Sequence, residues 1–177
     1  MTLRAISAAM DRLMAILLRR PEFGLQDDTP AIARWESGLR VVSSHENGTQ
    51  MVTDMPAELG GGGNQVTPGW LMRAGLASCA ATRIAMAAAA EQIELAMLEV
   101  TTRSRSDARG IFGMADANGA RVNAGPLDVE LIVRIFAPGI ATERLRALVE
   151  DSHRCSPVSN ALCQSVPVSL RIDIDAG

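Results

Sequence analysis

The stretch Thr67-Pro68-Gly69-Trp70-Leu71-Met72-Arg73-Ala74-Gly75-Leu76-Ala77-Ser78-Cys79 decides the fold of this chain. Thr67 offers a capping oxygen, and Pro68 takes the first helical position, where a missing N–H costs nothing. The pattern predicts a helix from Pro68 to about Ala90. Its interior is nearly all small: Ala74, Gly75, Ala77, Ser78, Ala80, Ala81, Ala85 and Ala87 to Ala90. Small residues permit close backbone approach, so this helix is expected at the centre of the protein, packed on most sides. That context puts Cys79 inside.

On the N-terminal side, residues 4–20 place Ile6, Met10, Leu13, Met14, Leu17 and Leu18 on one helical face, and Pro21 stops the pattern. A polar connector runs to Pro30. Residues 31–35, 39–44 and 49–53 read as short strands, with turns at Gly38 and Glu46-Asn47-Gly48. Gly60 to Gly63 lack the Lys-Ser/Thr of a phosphate loop and read as a flexible connector.

On the C-terminal side, Met97–Arg105 and residues 127–136 alternate as strands, joined by a loop over 107–118. Thr142 is expected to cap a helix through about His153, followed by a short helix over Pro157–Cys163. Val166, Val168, Leu170, Ile172 and Ile174 alternate as a closing strand. This order of elements predicts an α+β fold with antiparallel sheet. Residues 1–30 form an N-terminal helix and connector, and residues 31–177 one domain.

The 177 residues suffice for one domain with a proper core. A net charge of −3 gives no electrostatic case for nucleic acid. All 17 cations are arginine, so Schiff-base and P-loop lysine chemistry is excluded. Tyrosine is absent, and acid–base work would fall to Asp, Glu, Cys, His45 or His153. No apolar run is long enough to span a membrane, and no secretory signal stands out. A reducing cytoplasm is the simplest setting, and there a cysteine pair points to catalysis or metal binding rather than a structural disulfide.

Three cysteines are available. Cys79 could be a small core residue or a reactive thiol. Cys155, in His153-Arg154-Cys155-Ser156-Pro157-Val158-Ser159, stands where one helix pattern stops and another starts. A helix N-terminus beside Arg and His favours the thiolate, which is the nucleophile. Cys163 reads as core. With no C-x-x-C pair, a zinc site is not expected, and no cofactor is implied.

Together, Thr67-Pro68, the small-residue helix carrying Cys79, and Cys155-Ser156-Pro157-Val158-Ser159 resemble the OsmC / organic hydroperoxide resistance superfamily. Its late motif is Cys-Pro-Val-Ser; here Ser156 looks inserted before Pro157. The resemblance implies an intertwined homodimer, with antiparallel sheets wrapped around central helices and active sites at the interface. It implies a thiol peroxidase in which Cys79 attacks an organic hydroperoxide and Cys155 resolves the sulfenic acid as a disulfide. An external dithiol of the lipoyl type would then reduce that disulfide. Arg40 falls near the family's thiolate-stabilising arginine, with Arg83 as a rival one turn after Cys79. The family's carboxylate after the helix-starting Pro is missing, since Gly69 and Trp70 stand there. The same resemblance is compatible with a non-peroxidase member acting as a redox sensor or small-molecule-binding dimer.

Overall fold

The computed structural model of the chain describes residues 2–164 and 166–175. Helix α1 spans Leu3–Arg19, capped by the Thr2 side chain and followed by a 3-10 turn over Pro21–Gly24. Strands β1 (Ile32–Ser37), β2 (Arg40–Ser44) and β3 (Gln50–Thr53) form an antiparallel meander in the order β1-β2-β3. Helix α2 runs over Pro68–Ala90, as its start signals require. Strands β4 (Met97–Ser106) and β5 (Pro126–Phe136) make a second antiparallel sheet. Helices α3 (Thr142–Arg154) and α4 (Pro157–Cys163) follow.

The core sits between α2, α3 and one face of the β4–β5 sheet. Leu76, Ala80, Ile84 and Ala88 form a buried stripe on α2, recurring at the four-residue spacing of one helical face. Ile84 and Ala88 meet Ile93, Ala137, Leu145 and Leu148 in a single buried cluster. The strand register pairs Leu98 with Ile135 and Val100 with Val133, and this face packs against that cluster. The small side chains of α2 let α1, α3, α4 and β4 all approach it, so the helix is central as its composition predicts.

The β1–β2–β3 sheet makes no extensive contact with any helix. Strand β1 is exposed along its whole length, and Trp35 is 72% exposed.

Four local expectations need correction. Thr142 does not cap α3; Ala141 occupies the cap position and no side chain caps the helix. Residues 166–174 form no strand, and Val168 and Leu170 are 94% and 84% exposed. Their alternation is real, but a strand exists only through hydrogen bonds to a neighbour, and no strand among the described residues lies beside them. Cys163 is exposed rather than core.

Residues 60–63, finally, are not a loose connector. Buried Asp54 accepts hydrogen bonds from the Met55 N–H at 2.7 Å and the Gly62 N–H at 2.9 Å, which ties the loop down. A Cβ on Gly61 would overlap the Met55 carbonyl and come within 2.8 Å of Asp54 Oδ1. The substitution Gly61→Ala is expected to cost about 1–3 kcal/mol, because backbone rather than a flexible side chain must yield. A melting curve that overlays the parent's would contradict this account of the loop.

Candidate functional site

The site forms where the turn between α3 and α4 meets the middle of α2. Thr67 starts α2 by accepting the Trp70 N–H on its side chain at 3.2 Å, and Cys79 follows in the fourth turn, half-buried. Facing it is Ser156, the N-cap residue of α4, which is completely buried. Its Oγ lies 3.4 Å from Cys79 Sγ, with the hydroxyl donating to the sulfur. Ser159 Oγ donates in turn to Ser156 Oγ at 3.1 Å, and Ser159 is itself buried. A chain of two buried hydroxyls thus ends on the Cys79 sulfur.

Cys155 is expected opposite Cys79, but the structure places Ser156 there. Cys155 caps the C-terminal end of α3 and is exposed. Pro157 begins α4 and makes Ser156 its N-cap, and Ser156 is the residue of the turn that is fully buried. Asn160 fixes the arrangement. Its Nδ2 donates to the carbonyls of Arg154 and Ser156, both at 2.9 Å, one on each side of Cys155. The Cys155 and Ser156 N–H groups are also engaged, by the carbonyls of Ser152 and His153. Ser156 is therefore no insertion before a Cys-Pro-Val-Ser motif. In Ser156-Pro157-Val158-Ser159 it occupies the motif's first position.

Arg40 lies on β2, away from Cys79, and its Nε is 2.8 Å from Glu36 Oε2. Both side chains are partly exposed, so the pair contributes little to stability. Arg83, one turn after Cys79 on α2, has a buried Nη1 with no hydrogen-bond partner among the described residues. Arg73 is used elsewhere, donating to Ser104 Oγ on β4 at 3.2 Å. Trp70 is 45% exposed. His45 is exposed in the β2–β3 turn, where its Nδ1 accepts the Asn47 N–H.

A mostly apolar cavity of about 520 Å³ opens between α2, β5, α3 and α4. Leu76, Ala80 and Ile84 line it from α2, Leu131 and Val133 from β5, and Ser159 from α4; Glu130 and Glu150 also line it, whereas Cys79 and Ser156 do not. His153 and Cys163 stand at its lining. Among the described residues no His, Cys, Asp or Glu group is arranged to hold a metal ion. No described helix is long and apolar enough to cross a membrane.

The helix carrying Cys79 is found where the sequence predicts it, whereas the contact of Ser156 with Cys79 and the bracing by Asn160 were not anticipated. The signal for Ser156 was present in Pro157, which fixes the N-cap at the residue before it.

An α+β fold with antiparallel sheets flanking a small-residue central helix, and a half-buried thiol in that helix, defines a class of thiol-bearing proteins. The sequence profile of the OsmC-like protein family matches residues 61–171, and the chain belongs to that family. Among solved structures it resembles an OsmC-like protein from Mycoplasma pneumoniae, at 15% identity over 78% of this chain and 89% of that one, with a TM-score of 0.64. It also resembles the organic hydroperoxide resistance protein OsmC from Legionella pneumophila, at 23% identity over 77% and 91%, with a TM-score of 0.54. An organic hydroperoxide resistance protein from Elizabethkingia anophelis matches at 22% identity over 77% and 89%, with a TM-score of 0.55. At these identities the likeness concerns the fold. No protein of curated function matches the sequence.

Proposed function

We propose that the protein is a thiol-dependent peroxidase that reduces organic hydroperoxides, with Cys79 as the attacking thiol. The observation that carries this reading is the contact between Cys79 Sγ and the buried Ser156 hydroxyl at the start of α4. The thiolate is what cleaves the O–O bond, and the Ser156 hydroxyl stands where it can hydrogen-bond the reacting sulfur. The neighbouring apolar cavity suits the organic group of the substrate.

The protein works as a homodimer in this reading. Within one chain Arg40 stands on a sheet with little helix contact, far from any role at Cys79. An intertwined dimer would lay that sheet across the partner subunit's α2 and bring Arg40 toward the second thiol. Arg83 is the arginine that needs no partner, since it shares the Cys79 face of α2. The absence of the family's usual carboxylate after Pro68 is met in part by Glu36, which already pairs with Arg40. Cys155 remains the nearest other thiol in sequence, and joining it to Cys79 would require the Asn160-braced turn to open.

The test is consumption of cumene hydroperoxide by the reduced protein with reduced lipoamide as electron donor. Multiple turnovers are expected. A rate equal to that of hydroperoxide and lipoamide without protein would leave the reading of a sensor or binding dimer in its place.

A further inference from the structure

We infer that Ser156 takes the place of a resolving thiol, so that oxidised Cys79 is resolved by an external thiol and not by Cys155. The inference rests on the reading of Cys79 as the reactive thiol and specifies how its cycle closes.

The Ser156 Oγ lies 3.4 Å from Cys79 Sγ, and a hydroxyl oxygen cannot form a disulfide. Cys155 is exposed while Ser156 is fully buried against Cys79, so to take that contact Cys155 would have to exchange places with a buried residue. That exchange breaks the contact to Cys79, the Ser159–Ser156 hydrogen bond and the double Asn160 brace together. A disulfide requires the two side chains to meet directly, and the Ser156 side chain meets Cys79 Sγ at 3.4 Å while Cys155 is exposed.

The cycle then runs as follows. The Cys79 thiolate attacks the distal oxygen of ROOH, the O–O bond breaks, and the alkoxide leaves as ROH after taking a proton. Cys79 becomes a sulfenic acid, two electrons more oxidised. An external thiol R′SH condenses with it, forming the Cys79–S–S–R′ bond and releasing water. A second thiolate attacks the R′ sulfur, freeing the Cys79 thiolate and leaving R′–S–S–R′. A dithiol supplies both steps from one molecule. Ser156 acts directly at the reacting sulfur, first donating to the thiolate and then to the sulfenic acid. Ser159 is a positioning residue, holding the Ser156 hydroxyl through their shared hydrogen bond.

The experiment compares wild type, Ser156→Cys and Ser156→Ala, each treated with one equivalent of cumene hydroperoxide or with diamide, then with a single equivalent of mercaptoethanol, alkylated, and mapped by mass spectrometry without reduction. In wild type, Cys79 should carry mercaptoethanol and no Cys79–Cys155 cross-link should form with either oxidant. Ser156→Cys, nearly isosteric, should yield an internal disulfide between positions 79 and 156. Ser156→Ala should slow hydroperoxide oxidation of Cys79 roughly tenfold, the worth of one hydrogen bond to a charged group. A Cys79–Cys155 disulfide in wild type, or an unchanged rate in Ser156→Ala, overturns the inference. If hydroperoxide leaves Cys79 reduced while diamide still separates wild type from Ser156→Cys, the peroxidase reading fails and the assignment of position 156 stands.

Discussion

Replacing Cys79 by Ser is expected to lower hydroperoxide consumption by about three orders of magnitude or more, as loss of a nucleophile does in other enzymes. Oxygen for sulfur preserves size and the hydrogen bond to Ser156, so the fold should survive. What disappears is the polarisable thiolate, since a serine hydroxyl stays protonated and attacks peroxide oxygen poorly. The effect should fall on turnover and leave the melting temperature nearly unchanged. The contrast with Cys155→Ser sharpens the expectation. That thiol is exposed and its side chain shares no hydrogen bond with the site among the described residues, so its loss should leave consumption near the parent's rate. A Cys79→Ser protein that still turns over would move the chemistry elsewhere.

The second large effect concerns assembly. The chain exposes 13227 Å² of surface, against about 8,300 Å² expected for a compact protein of its 18.8 kDa mass. Counted over two chains, that excess is larger than the roughly 2,000–5,000 Å² that obligate dimers commonly bury. It is concentrated in particular places. Strand β1 is exposed throughout, and residues 166–174 hold Val166, Val168, Leu170, Ile172 and Ile174 in solvent. On helix α1 Leu13, Met14, Ile16 and Leu18 are exposed as well. Apolar surface of this extent marks an interaction surface, which the proposed homodimer would cover. Sedimentation equilibrium should therefore give a mass near twice that of the chain, with no monomer at micromolar concentration. Removing residues 166–175 should leave protein that aggregates or dissociates. A well-folded monomer in solution would contradict this expectation.

The sequence was most legible where local chemistry decides the outcome. Thr67-Pro68 and the run of small residues define α2 at both ends, and Pro157 marks the start of α4. Strand alternation over 97–105 and 127–136 matches β4 and β5, and its half-buried face is seen at Leu98, Val100, Val133 and Ile135, while Leu127 and Val129 stay exposed. It was least legible where the answer depends on a neighbour outside the segment. The alternation in 166–174 says that one side of that segment is to be covered, but not by which chain. Gly60 to Gly63 read as flexible because the tether comes from Asp54, which no pattern of glycines reveals. At the site, the cysteine in the late motif drew attention to Cys155, while the helix start one residue later turned Ser156 inward. A shift of one position across a helix cap reverses which side chain is buried, so the residue type alone could not place the thiol. Arg40 was found by resemblance, and its ion pair with Glu36 could not be foreseen from spacing, because it depends on the irregular register between Trp35 and Ser37.

The most direct measurement is the identity of the first sulfur oxidised. The reduced protein is given one equivalent of cumene hydroperoxide, quenched with a sulfenic-acid trap, and mapped by mass spectrometry. Exposure alone would favour Cys155 and Cys163, which are the more accessible thiols. The account predicts that the trap is found on half-buried Cys79, with the two exposed cysteines still reduced. Modification of Cys155 or Cys163 ahead of Cys79 would contradict it.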